Sequence, residues 1–397
     1  MAEVRVETLK PFEVDLSFAT PKITFLTALF LLFTVVGLGA GVYALYVGHH
    51  HAYNVTREMP WGMLIAGYIY FAIMSTGLCI LSFLGHLFGG TSLLPLSNRS
   101  LYLSIGAILS GFAVIGLELE NPWRMFWMVI TPNLTSNIMW MGALYGLCVG
   151  FMILEFVLIL NKKYKIAFFL GLLGALAEIA ANTNLGAVFA LIASRPFWYG
   201  GQLPIYFIAS ALMTGAAALI VFNYVAYEVR KKPMDEAMQK ASSAAGKVLL
   251  LFLVAICLAT IWRFLAIFTG GSDAGKLAAM ALLKGPLAFN FWFFEVALGL
   301  VFPLIVLAFG GLKNVHAMFL AALVTLIGAF FQRFDLVVAG QIVHPYYGLF
   351  EGIPQYLSYA PSKCEILVFL GAVSMFVTLF LLGERYFAGV FEDREHH

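Results

Sequence analysis

Carboxyl, guanidinium, phenol and amide side chains lie inside or at the ends of long apolar runs, where the surroundings oppose them. Glu155, Glu178, Glu295 and Glu365 fall within such runs; Glu118, Glu120, Arg124, Arg195, Arg263, Arg333 and Asp335 lie near their ends. An ionisable group at mid-bilayer costs at least ~2.5–3.5 kcal/mol on insertion scales, so each needs a partner or a task. Most gather toward one face, and carboxylates beside arginines and tyrosines suit proton transfer. Taken singly, each can equally be a static ion pair that fixes helix packing. The run Ala181-Asn182-Thr183-Asn184-Leu185-Gly186 puts three amide or hydroxyl side chains in one apolar segment. It can glue helices together or line a polar cavity. Tyr68 and Tyr70 can hydrogen-bond a quinone carbonyl, or belong to an interfacial aromatic belt.

Other chemistries are poorly provided for. Cys79, Cys148, Cys257 and Cys364 stand alone, without the close spacing that zinc, iron–sulfur or c-type haem sites need. Of eight histidines, only His86 and His316 touch apolar runs, both near the same face. No haem, cluster or metal is therefore expected in this chain. The His49-His50-His51 run reads as a solvated loop.

The elements that position these groups are transmembrane helices. Of 397 residues, 62% are hydrophobic and 11% charged, with a net charge of +2 and mean hydropathy of +0.92. Soluble domains carry roughly 45–50% and about 25%. A polytopic membrane protein follows, and a nucleic-acid partner is excluded by the lack of a basic field. Acidic residues in 1–22 rule out a signal peptide there. Ten runs are long enough to span: 23–47, 62–88, 101–118, 138–160, 165–194, 204–228, 246–269, 289–311, 316–338 and 362–386. The stretch 276–287 is too short. Assigning loops alternately gives 15 Lys and Arg on the N-terminal side and 8 on the other. Both termini are expected in the cytoplasm. The loops 119–137, 195–203, 270–288 and 334–361 then face outward.

Landmarks recur in order. Pro60-Trp61-Gly62 and Ser75-Thr76-Gly77 are echoed by Pro196, Trp198, Gly200 and Thr214-Gly215, and Trp123-Arg124 by Trp262-Arg263. Trp61 to Trp123 spans 62 residues and Trp198 to Trp262 spans 64. The expected fold is all-α: two tandem four-helix bundles, spans 2–5 and 6–9, flanked by spans 1 and 10. Repeat one covers about 60–194 and repeat two about 196–340, within a membrane domain of 23–388. Residues 1–22 and 389–397 form cytoplasmic ends.

These segments resemble the NrfD/PsrC superfamily of polysulfide-reductase membrane subunits, in its ten-span branch with DsrP and HybB. The matching pieces are Pro60-Trp61-Gly62, Asn121-Pro122-Trp123-Arg124, Asn184 to Phe189, Arg195 to Gly200, Phe291 to Val296, Arg333 to Gln341, and Pro361-Ser362 with Glu365. The resemblance spans roughly 25–385. It implies a subunit in a prokaryotic cytoplasmic membrane that exchanges electrons between menaquinone or menaquinol and an extracytoplasmic ferredoxin-like iron–sulfur subunit. Further respiratory subunits, cytochromes among them, are implied partners, and coupling to proton translocation stays open. The quinone head group is expected near the outer face of the first bundle. Cofactor-binding residues there are Trp61, Tyr68, Tyr70, Asn133, Asn182 and Asn184; catalytic candidates are Glu118, Arg124 and Tyr68. Tyr68 falls where relatives carry histidine or aspartate, which leaves the proton-handling residue open. A secondary transporter, betrayed by helix breaks such as Asn182–Gly186, and a passive anchor are the rival readings.

Overall fold

The computed structural model describes residues 13–87, 92–348 and 350–392, the side chain of Val129 aside. Residues 1–12, His396 and His397 lie outside that set. Among the described residues, ten helices are long and apolar enough to cross a membrane. They are α1 (Pro21–Val47), α2 (Met63–Leu87), α3 (Ser97–Glu118), α4 (Asn137–Leu160) and α5 (Tyr164–Ala190), followed by α6 (Gln202–Arg230), α7 (Glu236–Gly270), α8 (Asn290–Ala308), α9 (Val315–Ala339) and α10 (Lys363–Tyr386). The chain is an all-α, multi-pass membrane protein. The stretch that is too short to span forms the helix Asp273–Leu283.

Two spans start earlier than hydropathy indicates. α7 begins at Glu236, where the Asp235 side chain accepts a hydrogen bond from the Met238 amide; its first turns are polar and project from the apolar segment. α3 begins at Ser97 and carries Arg99 into the interior. α5 runs unbroken through Asn182–Gly186, so the break expected of a transporter is not formed there. The irregular span is α8, π-helical over Asn290–Val301.

Packing follows the order of the chain. α2 lies against α3 and α5, and α4 against α5; α6 lies against α7 and α9, and α8 against α9. α2 and α6 meet at the centre, and α1 packs on α10. The central crossing needs two glycines. A Cβ on Gly77 would sit 1.8 Å from the Ala211 carbonyl oxygen, and one on Gly215 would sit 2.4 Å from the Gly77 carbonyl carbon. The two matched Thr-Gly steps therefore touch backbone to backbone.

A buried ionic knot ties the ends together. Glu384, fully buried, accepts from Arg99 Nε at 2.6 Å and from Arg230 Nη2 at 2.7 Å. Arg99 also donates to Asn223 at 2.6 Å, and Arg230 Nε donates to Asp15 Oδ2 at 2.7 Å. Glu392 lies 3.8 Å from Arg230. The segments preceding α1 and following α10 thus meet one arginine, on one face of the protein. The N-termini of α2 and α6 lie on the opposite face, the one expected from the sequence to be the outer face.

Candidate functional site

Within the first bundle, polar side chains from α2, α4 and α5 converge. The Tyr68 ring meets the Tyr145 ring edge-on, with centroids 6.4 Å apart. Thr76 Oγ1 is placed to donate to the Ala72 carbonyl at 3.0 Å or to Glu178 Oε1 at 3.2 Å. Ser75 and Ser104 hydroxyls are 2.9 Å apart. The Cys148 thiol lies between Cys79 and Glu178. Glu178 Oε2, the Tyr145 hydroxyl and both polar atoms of the Asn182 amide are buried without a well-formed hydrogen bond to protein. Such atoms cost ~1–3 kcal/mol each when left unmet, so the arrangement calls for a polar guest or water.

At the end where α2 finishes, this bundle opens into a cavity of ≈ 390 Å³ whose lining includes His86, Glu155, Tyr164 and Lys165. His86 Nδ1 is 3.9 Å from Glu155 Oε1.

The second bundle holds a buried group of different character. Arg333 donates to the Ser210 hydroxyl and packs over the Tyr206 and Phe207 rings. Arg263 stacks over Phe197, 4.5 Å from the ring centre. Glu295 and Asp335 lie within electrostatic reach of Arg263, and Glu295 within reach of Arg333 as well. Among the described residues none of these four forms a contact ion pair.

At the face where α2 and α6 begin, two arrangements explain the sequence landmarks. In the first, Trp61 stacks on Trp198 at 5.2 Å, and Phe189 stands edge-on to both. Gln341 holds the Trp61 backbone at both ends, accepting from its amide at 3.1 Å and donating to its carbonyl at 2.9 Å. Arg195 donates to the Glu58 carbonyl at 2.8 Å, and Trp198 to the Leu336 carbonyl at 2.7 Å. A Cβ on Gly340 would sit 1.9 Å from the Trp198 ring, so Gly340-Gln341 is one device: the glycine admits Trp198 and the glutamine clasps Trp61. In the second, Glu365 accepts from the Tyr359 hydroxyl at 2.5 Å, from the Ser362 amide at 2.7 Å and from the Asn54 amide at 3.1 Å. Tyr53 and Glu118 stand close by. Burial, with carboxylates nearby, pushes the Tyr53 and Tyr359 hydroxyls above the usual tyrosine range, so both stay protonated donors.

The sequence candidates are thereby distributed. Tyr68 and Asn182 belong to the first-bundle interior. Glu118 closes α3 beside Glu365, with no ion pair to Arg124, which is exposed. Asn133 is exposed and its side chain accepts from the Thr135 amide and hydroxyl. Asn184 donates to the Asn137 carbonyl at 2.6 Å, tethering α5 to the start of α4. Trp61 is part of the clasp. Tyr70 points away from Tyr68, among Phe71, Phe330 and Phe369, because two residues turn a helix by ~200°. Tyr145 is not among the sequence candidates, and Glu178 is there only as one of the carboxylates within apolar runs; yet Tyr145, Cys148, Met152 and Glu155 recur at helical spacing as the buried face of α4.

A ten-helix core with clasped bundles and a polar first-bundle interior defines a class of polytopic membrane protein. The family model described as polysulphide reductase, NrfD, matches residues 50–345, and the chain belongs to that family. The chain is 22% identical to a selenate reductase subunit of Mesobacillus selenatarsenatis, across 88% of this chain and 92% of that one. It is 23% identical to the Hdr-like menaquinol oxidoreductase integral membrane subunit of Archaeoglobus fulgidus, across 88% and 90%. Against protein NrfD of Escherichia coli it is 23% identical, across 72% of this chain and 96% of that one.

Proposed function

We propose that this chain is the quinone-reactive membrane subunit of a multi-subunit respiratory oxidoreductase in a prokaryotic cytoplasmic membrane. In this reading electrons pass between menaquinone or menaquinol and a ferredoxin-like iron–sulfur subunit docked on the outer loops 119–137, 195–203 and 334–361. Further subunits, cytochromes among them, complete the assembly. The relatives named as a menaquinol oxidoreductase subunit and a selenate reductase subunit support it. The observation that carries it is the set of buried, unmet polar atoms on Tyr145, Asn182 and Glu178, beside Tyr68. We read the matched Thr-Gly steps at the α2–α6 crossing as the seam of a duplicated four-helix unit.

A quinone ring presents two carbonyl acceptors that become hydroxyl donors on reduction, and these residues fit both forms. The Tyr68 and Tyr145 hydroxyls donate to a carbonyl or accept from a hydroxyl, and the Asn182 amide offers both functions. When bound, menaquinol supplies two electrons and two protons. Glu178 Oε2, the oxygen without a well-formed hydrogen bond, receives one of the two protons, while Thr76 holds Oε1 in place. Tyr145, facing both Tyr68 and Thr76, connects the outer tyrosine with that carboxylate. Glu118, at the outer end of the adjoining α3 with Glu365 and Tyr359 beside it, is the next carboxylate toward outer solvent. Trp61 holds the lip of the bundle through its clasp.

The test is Glu178→Gln in the purified complex. Menaquinol turnover should fall at least tenfold with assembly and quinone content retained. Normal turnover in an assembled variant would remove Glu178 from proton handling.

A further inference from the structure

Between the start of α6 and the end of α7, at the outer face, lies a cavity of ≈ 610 Å³ whose lining includes Phe197, Gly201, Gln202, Trp262 and Arg263. Among the described residues, Arg263 is the only ionisable group besides Tyr199 on its walls, and no carboxylate lines it. The guanidinium is positioned by Phe197 beneath it, and its Nε is shielded from solvent without a hydrogen-bond partner. Glu295 and Asp335 lie within electrostatic reach of Arg263 without closing an ion pair, and Arg263 itself lines the cavity. A second source of positive potential adjoins. α6 opens on Gly201 with no side-chain cap, and its first amides, those of Gln202 and Leu203, belong to residues on the same wall. Pro204 follows and has no amide hydrogen to add.

We propose that this cavity binds the phosphate of an acidic phospholipid from the outer leaflet. The donor set selects an anion, with one guanidinium and the uncapped start of a helix converging on a cavity free of carboxylates. The walls select an amphiphile over free phosphate. Trp262 is 64% exposed beside the cavity, as an interfacial indole is placed. Below it on α7, Ile261, Leu258, Val254 and Leu251 form an exposed apolar strip running toward the opposite leaflet, a track for acyl chains. A head group held by Arg263 would therefore have its chains against α7. Arg263 takes no part in the quinone chemistry proposed for the first bundle, although the cavity wall at 196–203 is shared with a docking loop proposed above.

The test uses the purified complex, stripped in mild detergent and re-exposed to phosphatidylglycerol, phosphatidylcholine or inorganic phosphate, with retained lipid counted by native mass spectrometry. Wild type should retain phosphatidylglycerol at least tenfold over phosphatidylcholine, and 10 mM inorganic phosphate should displace little of it. Arg263→Gln should lose at least tenfold of the retained phosphatidylglycerol, while Arg263→Lys keeps a measurable part. Because Arg263 also faces the buried acids, Trp262→Ala supplies a second arm outside that group and should also lower retention. Equal retention in wild type and both variants would overturn the proposal. So would displacement by inorganic phosphate alone, or a carboxylate from another polypeptide found on Arg263 in the assembled complex.

Discussion

Replacing Glu384 by glutamine tests whether the inner-face knot holds the helices together. The Glu384 carboxylate accepts from Arg99 Nε at 2.6 Å, Arg99 Nη2 at 3.3 Å and Arg230 Nη2 at 2.7 Å, with no solvent exposure. Glutamine keeps the shape but removes the charge, and its NH₂ group points two donors at cations. Breaking a buried pair by disabling one partner costs about 3–5 kcal/mol. Asp15 and Glu392 continue to compensate Arg230, and Asn223 still accepts from Arg99, so the lower end applies. About 3 kcal/mol is a factor on the order of 150 in the folding equilibrium, at ~1.4 kcal/mol per decade. Reversible unfolding in mixed detergent–dodecyl sulfate micelles, followed by tryptophan fluorescence, would read this directly. Asp15→Asn should cost less, because Glu392 remains near Arg230. A Glu384→Gln protein within 1 kcal/mol of wild type, or an Asp15→Asn protein more damaged than it, would refute the reasoning.

Three further substitutions probe the helix contacts. Gly77→Val should prevent the α2–α6 crossing, since its Cβ would fall 1.8 Å from a backbone oxygen that cannot yield; monodisperse protein on size exclusion would contradict this. Gly146→Ala on α4, with nothing within 4 Å of its Cβ, should leave the same measurement unchanged. Gln341→Ala strands the Trp61 amide and carbonyl, at ~1–3 kcal/mol for unmet buried groups. Hydrogen exchange of 57–62 should accelerate at least tenfold, and unchanged protection would remove the clasp.

The spans were legible because twenty apolar residues in sequence have few other uses, and the ten runs are the ten helices. Hydropathy misplaced the start of α7 because its first turns are polar and lie beyond the apolar segment, and that of α3 because it counts charge without its partner. Arg99 looks like a loop residue until Glu384, 285 positions away, neutralises it. Tyr68 and Asn182 were readable as polar intruders in apolar helices. Tyr145 was visible only as part of a face shared with Cys148, Met152 and Glu155. Trp61, Asn184 and Gln341 show the limit of motif reading, because a distinctive spelling can mark a packing device as readily as a ligand site. The directions of Arg124 and Asn133 are set by loop turns, where no periodicity announces which way a side chain faces.

The most direct measurement is photolabelling of the assembled complex with an azido-menaquinone, followed by peptide mapping of the adducts. Adducts on α2, α4 and α5 at or beside Tyr68, Tyr145 and Asn182, suppressed by excess menaquinone, are the expected result. Suppressible adducts confined to α6–α9 or to another subunit would contradict a quinone site in the first bundle.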